Sequence, residues 1–337
     1  MTCSLRVFWK TITHTLPLLT AAAAIAVASP AWAVVPGSGQ KVIQVGDDFE
    51  DVDWKYSFNL PKSSNNIDKQ TRYPLGKSAN GRWVESSLRG QPDVIERVPT
   101  PPFGLAGSDG ALLMRSIQTG IPGRYTNELQ QDDLLLNIAG GMGGTTSPGF
   151  SPNCVVRVFL PPFEAWEDRT GTSFAMRLGL RAYVTKQEKS GGFFGGSRSS
   201  RTLEPYWPGM FIRFNSSTDG NIEEDSAQLI IRARENGSDV WGPKITQTGW
   251  WTIGMSVTPD GRVHYYASPG VEDLTQEDHI ASFFPYGYRC EAFNNFFFNV
   301  ANGDNGRVWS TPWVIDDPSF YILRGGRPVA GTSRSVR

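Results

Sequence analysis

Apolar and polar residues alternate along much of the chain. From Ser173 to Val184, Phe174, Met176, Leu178, Leu180, Ala182 and Val184 fall on one side, and Ala175, Arg177, Gly179, Arg181 and Tyr183 fall on the other. A period of two sustained over twelve residues predicts a half-buried strand. Met210–Phe214, Gln228–Arg234, Trp250–Val257, Val263–Ala267 and Phe296–Ala301 read the same way. Further strands are expected at Asp47–Phe58, Ala111–Ser116, Val155–Leu160 and Trp313–Leu323. Thr258-Pro-Asp-Gly261 supplies a tight reversal between two of them. No long amphipathic helix intervenes, so successive strands should pair antiparallel. Two such sheets face to face form a jelly-roll β-sandwich that buries both inner faces.

Composition agrees with an all-β chain. There are 36 Gly and 23 Pro, aromatics make up 12% and charged residues only 19%. The connections at about 59–110, 140–152 and 190–201 are rich in Gly, Ser and Pro, and the first is longer than a hairpin loop should be. One sandwich is expected over 34–323, followed by a loose basic tail at 324–337.

The start of the chain has the parts of an export signal. Arg6 and Lys10 precede the apolar run Leu16–Ala28, and Ala31-Trp32-Ala33 offers small residues at a cleavage site. The run is about 13 residues, against the roughly 20 needed to span a bilayer. Removing 1–33 takes away two basic residues and moves the formal charge from −1 to −3. That balance argues against nucleic acid as a partner. Secretion, or placement in the periplasm or on the cell surface, is expected, with no membrane span in the mature chain. Cys154 and Cys290 survive processing, and an oxidising compartment predicts a disulfide between them.

Several segments of the second half carry a resemblance. Tyr206-Trp-Pro-Gly-Met-Phe211, Trp250–Asp260, Asn294–Gly303 and Trp313–Tyr321 occur in the order of strands found in the concanavalin A-like lectin/glucanase superfamily. Their layout is similar to that of family 16 glycoside hydrolases, and Asp47–Asp51 is similar to the opening strand of such domains. The resemblance implies a concanavalin A-like jelly roll that holds sugar on the concave face of one sheet. It also implies a Glu-x-Asp-x-x-Glu catalytic strand. Here Glu223-Glu-Asp-Ser-Ala-Gln228 has Gln228 where the acid/base belongs, and an amide cannot donate the proton that retaining hydrolysis requires. A structural calcium at Asp316 near the N-terminal strand, with Asp48 or Glu50 helping to hold it, is implied as well; no cofactor is required.

The residues opposite the apolar stripes are rich in Arg and aromatics. Arg177, Arg181, Tyr183, Arg232, Trp250 and Asn299 are candidate substrate-binding residues. Guanidinium groups grip carboxylate or sulfate, and flat rings carry a pyranose face, so an acidic extracellular polysaccharide is the expected partner. Arg213, Gln228, His264 and Tyr266 are the chemical types that a β-eliminating lyase uses, namely a carboxylate neutraliser, a base and an acid. The alginate lyase motifs themselves are absent. Neither zinc spacing nor a Gly-x-Ser-x-Gly, P-loop or Rossmann pattern occurs. Three readings stay open: a lectin-like carbohydrate-binding domain, a polysaccharide lyase or degenerate hydrolase, and a structural surface or matrix protein.

Overall fold

The computed structural model describes residues 33–189 and 197–323. The expected export signal and basic tail fall on 1–32 and 324–337, outside the described residues apart from Ala33.

Eighteen strands form among the described residues. They are β1 (Gln40–Gly46), β2 (Tyr56–Ser57), β3 (Lys77–Ser78), β4 (Trp83–Glu85), β5 (Val94–Pro99), β6 (Gly110–Arg115), β7 (Gln130–Leu136), β8 (Asn153–Leu160) and β9 (Gly171–Lys189). The chain continues with β10 (Ser197–Tyr206), β11 (Gly209–Asn215), β12 (Ser226–Arg232), β13 (Asp239–Ile245), β14 (Gly249–Val257), β15 (Val263–Pro269), β16 (His279–Phe283), β17 (Ala292–Asn302) and β18 (Trp313–Ile322). Helix is limited to short pieces, of which Ile138–Met142 is five residues. Among the described residues no helix is long and apolar enough to cross a membrane.

Every ladder is antiparallel. An eight-stranded sheet runs β16-β15-β14-β8-β18-β6-β5, with β1 on β18, and a ten-stranded sheet runs β13-β12-β11-β9-β17-β7-β4-β3-β2, with β10 on β9. The jelly-roll sandwich read from the alternation is therefore the fold. Strand β9 spans 19 residues and serves two partners on one edge: Gly171–Arg177 pairs with β11, and Leu180–Lys189 pairs with β10.

The core lies between the sheets. Phe174, Met176, Leu178 and Leu180 of β9 enter it beside Phe296 and Phe298 of β17 and opposite Trp313, Ile315 and Phe320 of β18. Phe174 ties the two sheets together, with its ring 4.8 Å from that of Trp313 and 5.7 Å from that of Phe298. Stacked and offset rings at such separations add to the stabilisation from burial alone.

Three expectations are corrected. Asp47–Phe58 is not one strand, because Phe49 takes a positive φ of 56° and Asp47 turns inward to accept from the indole N–H groups of Trp54 and Trp83. The long stretch 59–110 is not irregular throughout, since it builds β3, β4 and β5 on the edges of both sheets. The Cys154–Cys290 bridge is absent: both thiols are free and buried. Cys154 sits mid-strand on β8 and donates to the Met255 carbonyl, whereas Cys290 lies against the Thr258–Arg262 turn, where its N–H bonds to Gly261.

Candidate functional site

The outer face of the ten-stranded sheet carries a groove of about 610 Å³. Arg177 forms its centre on β9. The alternation of β9 places Phe174, Met176 and Leu178 in the core, so Arg177 and Arg181 face outward as expected. Arg177 donates twice to the Trp207 carbonyl, at 2.7 and 3.3 Å. Its guanidinium also lies over the rings of Phe211 and Phe297, at 5.4 and 5.6 Å. Gly209 leaves the space this needs, because a Cβ there would stand 2.5 Å from Arg177 Cγ.

Three more arginines line the groove: Arg89 from the loop after β4, exposed Arg181, and Arg232 on β12. Arg232 holds Asp239 across the β12–β13 pair through two bonds and also lies over the Phe211 ring, at 4.7 Å. Trp207 and Phe297 supply ring surface. A β-bulge in β17 between Phe293 and Asn295 turns both Asn294 and Asn295 toward the groove.

Asp133 of β7 is the carboxylate that lines the groove, and it is 6% exposed. It accepts from Gln131 and from Asn299, the latter fully covered on the neighbouring β17. Burial raises its pKa to about 6, against the pull of the Arg177 and Arg89 charges. Burial likewise draws Arg177 below the usual guanidinium value, with Asp133 opposing. The groove is thus positively charged, with a carboxylate at its floor that protonates in mild acid.

The remaining sequence-predicted residues divide among three places. Tyr183 is exposed farther along β9, with Arg201 stacked on it at 4.1 Å. Arg213 and Gln228 are direct partners in the β11–β12 ladder, outward-facing and beyond the groove. Arg213 contacts Asn215 and the exposed Trp241 ring, and Gln228 donates to the Gly242 carbonyl. His264, Tyr266 and Trp250 lie on the outer side of the other sheet, all at 6% exposure or less. In β15 the inward residues are Val263 and Tyr265, so His264 and Tyr266 point away from the core. His264 is held between Thr258 and Ser282, and burial together with His279 lowers its pKa to about 4. Tyr266 packs with Val155, Leu274 and residues 33 and 35, and Trp250 bonds to the Pro102 carbonyl under the loop before β6.

The proposed lyase quartet is corrected accordingly: Arg213 and Gln228 are separated from His264 and Tyr266 by both sheets. Trp250, expected beside the other binding residues, lies on the other sheet and outside this groove. Glu223 lies in the loop ahead of β12, and Asp225 there caps the Ser217 N–H, so the strand that would carry paired catalytic carboxylates is not built. Asp316 is buried, bonded to Ser108 and to the Asp317 N–H, and burial raises its pKa to about 6, whereas Asp48 is exposed and bonded to the Glu50 N–H. Among the described residues no three His, Cys, Asp or Glu side chains are grouped to hold a metal.

Arg89, Asp133, Trp207, Asn295 and Phe297 were not singled out from the sequence as site residues. The signal was weakest for Gln130–Leu136, because Asp132 and Asp133 face opposite sides of β7 and break the alternation.

The sequence matches no known protein-family profile and no curated protein. Among solved structures it is similar to a conserved carbohydrate esterase of the Shiga toxin-encoding bacteriophage phi24B, at 9% identity and a TM-score of 0.41, covering 72% of this chain and 91% of that one. It is also similar to the exoplasmic/lumenal domain of VIP36 bound to Ca2+ and Man3GlcNAc, at 9% identity and a TM-score of 0.36, covering 74% and 87%. The PL7 alginate lyase AlyA1 from Zobellia galactanivorans gives 9% and 0.34, covering 80% and 92%.

Proposed function

We propose that this chain is a secreted carbohydrate-binding protein that holds an acidic polysaccharide in the groove on its ten-stranded sheet. The observation that carries the reading is the convergence of Arg89, Arg177, Arg181 and Arg232 around Trp207 and Phe297, with Asp133 as the carboxylate of the lining. Guanidinium forks suit carboxylate or sulfate, and the rings suit the apolar face of a pyranose. A groove of this size accepts a few sugar units of a longer polymer. The segment 1–33 reads as an export signal, and export would bring the groove to such polymers.

Binding is favoured over lyase or hydrolase chemistry on the same fold. The residues typed for elimination stand on opposite faces of the sandwich, and hydrolysis by paired carboxyls needs two of them about 5–5.5 Å apart for retention or 6.5–9.5 Å for inversion. A purely structural role would not call for four arginines facing one cavity.

The test is a panel of immobilised neutral, uronate-containing and sulfated glycans. Retention, unsaturated-product absorbance and reducing ends are followed together. Retention on the acidic glycans, weakened by salt and without products, is the expected result. Failure to bind any acidic glycan overturns the reading, and product formation replaces it with an enzyme.

A further inference from the structure

A buried lysine that is not part of the groove's lining lies between two aspartates. Lys62, which follows Pro61 in the segment leading to β3, has a side chain only 6% exposed. Its Nζ stands 2.7 Å from Oδ2 of Asp132, 3.0 Å from Oδ1 of Asp93 and 2.9 Å from the Gln91 carbonyl. Asp132 is on the core side of β7, completely covered, and the Ser116 hydroxyl donates to the same Oδ2 at 2.6 Å. Its Oδ1 has no hydrogen-bond partner. Asp93 is anchored from the other side, where its Oδ2 accepts from the N–H groups of Ile117 and Gln118.

We propose that Lys62 and Asp132 join in an intramolecular isopeptide bond, with Asp93 as the proton carrier. The placement supplies each part of an amide condensation. Asp93 Oδ1 takes a proton from the Lys62 ammonium, and the freed lone pair attacks Cγ of Asp132 in its acid form. The Nζ–Cγ bond forms while the Cγ–Oδ1 bond breaks. Asp93 returns that proton to the departing hydroxyl, which leaves as water, then takes the second proton that the nitrogen sheds on becoming an amide and ends as the neutral acid; Oδ2 remains as the amide oxygen. The Ser116 hydroxyl stabilises the charge that develops on Oδ2. No oxidant or other reactant is consumed.

The environment favours this step over a simple ion pair. Burial pushes the Asp132 carboxyl upward, with Asp93 adding to the rise and Lys62 opposing it, which favours the neutral acid that the condensation needs. A neutral carboxylic acid can serve as the acyl donor to an amine, whereas a carboxylate does not. For Lys62 burial pulls downward, but the two aspartates outweigh it and keep the ammonium as the resting form. Asp93 is therefore needed to release the amine. Holding the reactants in contact inside a water-poor interior replaces the concentration that free groups would require and slows the reverse hydrolysis.

The cross-link would tie positions 70 apart in sequence, fastening the long segment 59–110 to the ten-stranded sheet. It stands independently of the carbohydrate reading. The test is mass spectrometry of the full-length wild-type protein after reduction and tryptic digestion. The expected result is one branched peptide joining Lys62 to Asp132, one water lighter than the sum of its arms, with no cleavage after Lys62. Asp93→Asn should abolish the branched peptide and restore cleavage after Lys62. The proposal is overturned if the wild-type digest holds both arms as separate peptides of full mass. A link that persists in Asp93→Asn overturns the role given to Asp93.

Discussion

Arg181 and Arg177 share a strand face but differ in what they can do. Arg177 is spent on the Trp207 carbonyl and on two aromatic rings, whereas Arg181 is exposed at the groove mouth. Arg181→Ala should leave the fold intact and weaken retention on an acidic glycan by about tenfold, roughly 1.4 kcal/mol, as read from binding isotherms at fixed salt. Asp316 offers a separate test. Its folded pKa of about 6 lies above the usual 3.8, so its effect on stability is complete below the unfolded value and is lost as pH rises through 6. Asp316→Asn can still accept from the Asp317 N–H and meet the Ser108 hydroxyl. It should therefore be more stable than the parent at pH 8, by about 1–2 kcal/mol, and should lose that advantage at pH 4, as measured by urea unfolding.

At the scale of elements, β9 shows what the sequence discloses and what it hides. Its twelve-residue alternation assigned both faces correctly, because a buried inner side and an open outer side impose period two. Strands β7 and β13 escaped notice, since each puts polar residues on both sides. Arg89, Asp133 and Trp207 reach the groove from a loop, a non-alternating strand and a strand connection, and no local pattern marks such convergence. The lyase quartet failed for the complementary reason: each of its strands was correctly placed in sequence, but sheet membership depends on long-range pairing. Gly209 links packing to the site. Gly209→Ala would drive a methyl into Arg177 Cγ and toward the Met176 carbonyl, 2.8 Å away. The expected cost is about 1–3 kcal/mol in stability, with retention lost as Arg177 is displaced. Thermal melts and the glycan columns report the two effects separately.

Over the whole molecule, stability rests on the aromatic contacts between the sheets. Phe174→Ala removes a fully buried ring that spans them and should cost about 3–5 kcal/mol, visible as a lower denaturation midpoint. The sandwich does this without a disulfide. Burial raises the Cys290 thiol to about 12 and moves Cys154 upward too, so both should resist thiol reagents in the native state and react only in denaturant. Titration with a chromogenic disulfide would show this.

The pinned guanidinium of Arg177 has a kinetic corollary. A side chain already locked by a carbonyl and two rings surrenders little freedom when an anion arrives, so capture should require no rearrangement of the wall. Encounter would then be governed by the charge field and bulk ionic strength, and the lifetime of the complex by how many arginine contacts the polymer must break at once. A chain of many weakly held units could in that way creep along the groove without ever letting go.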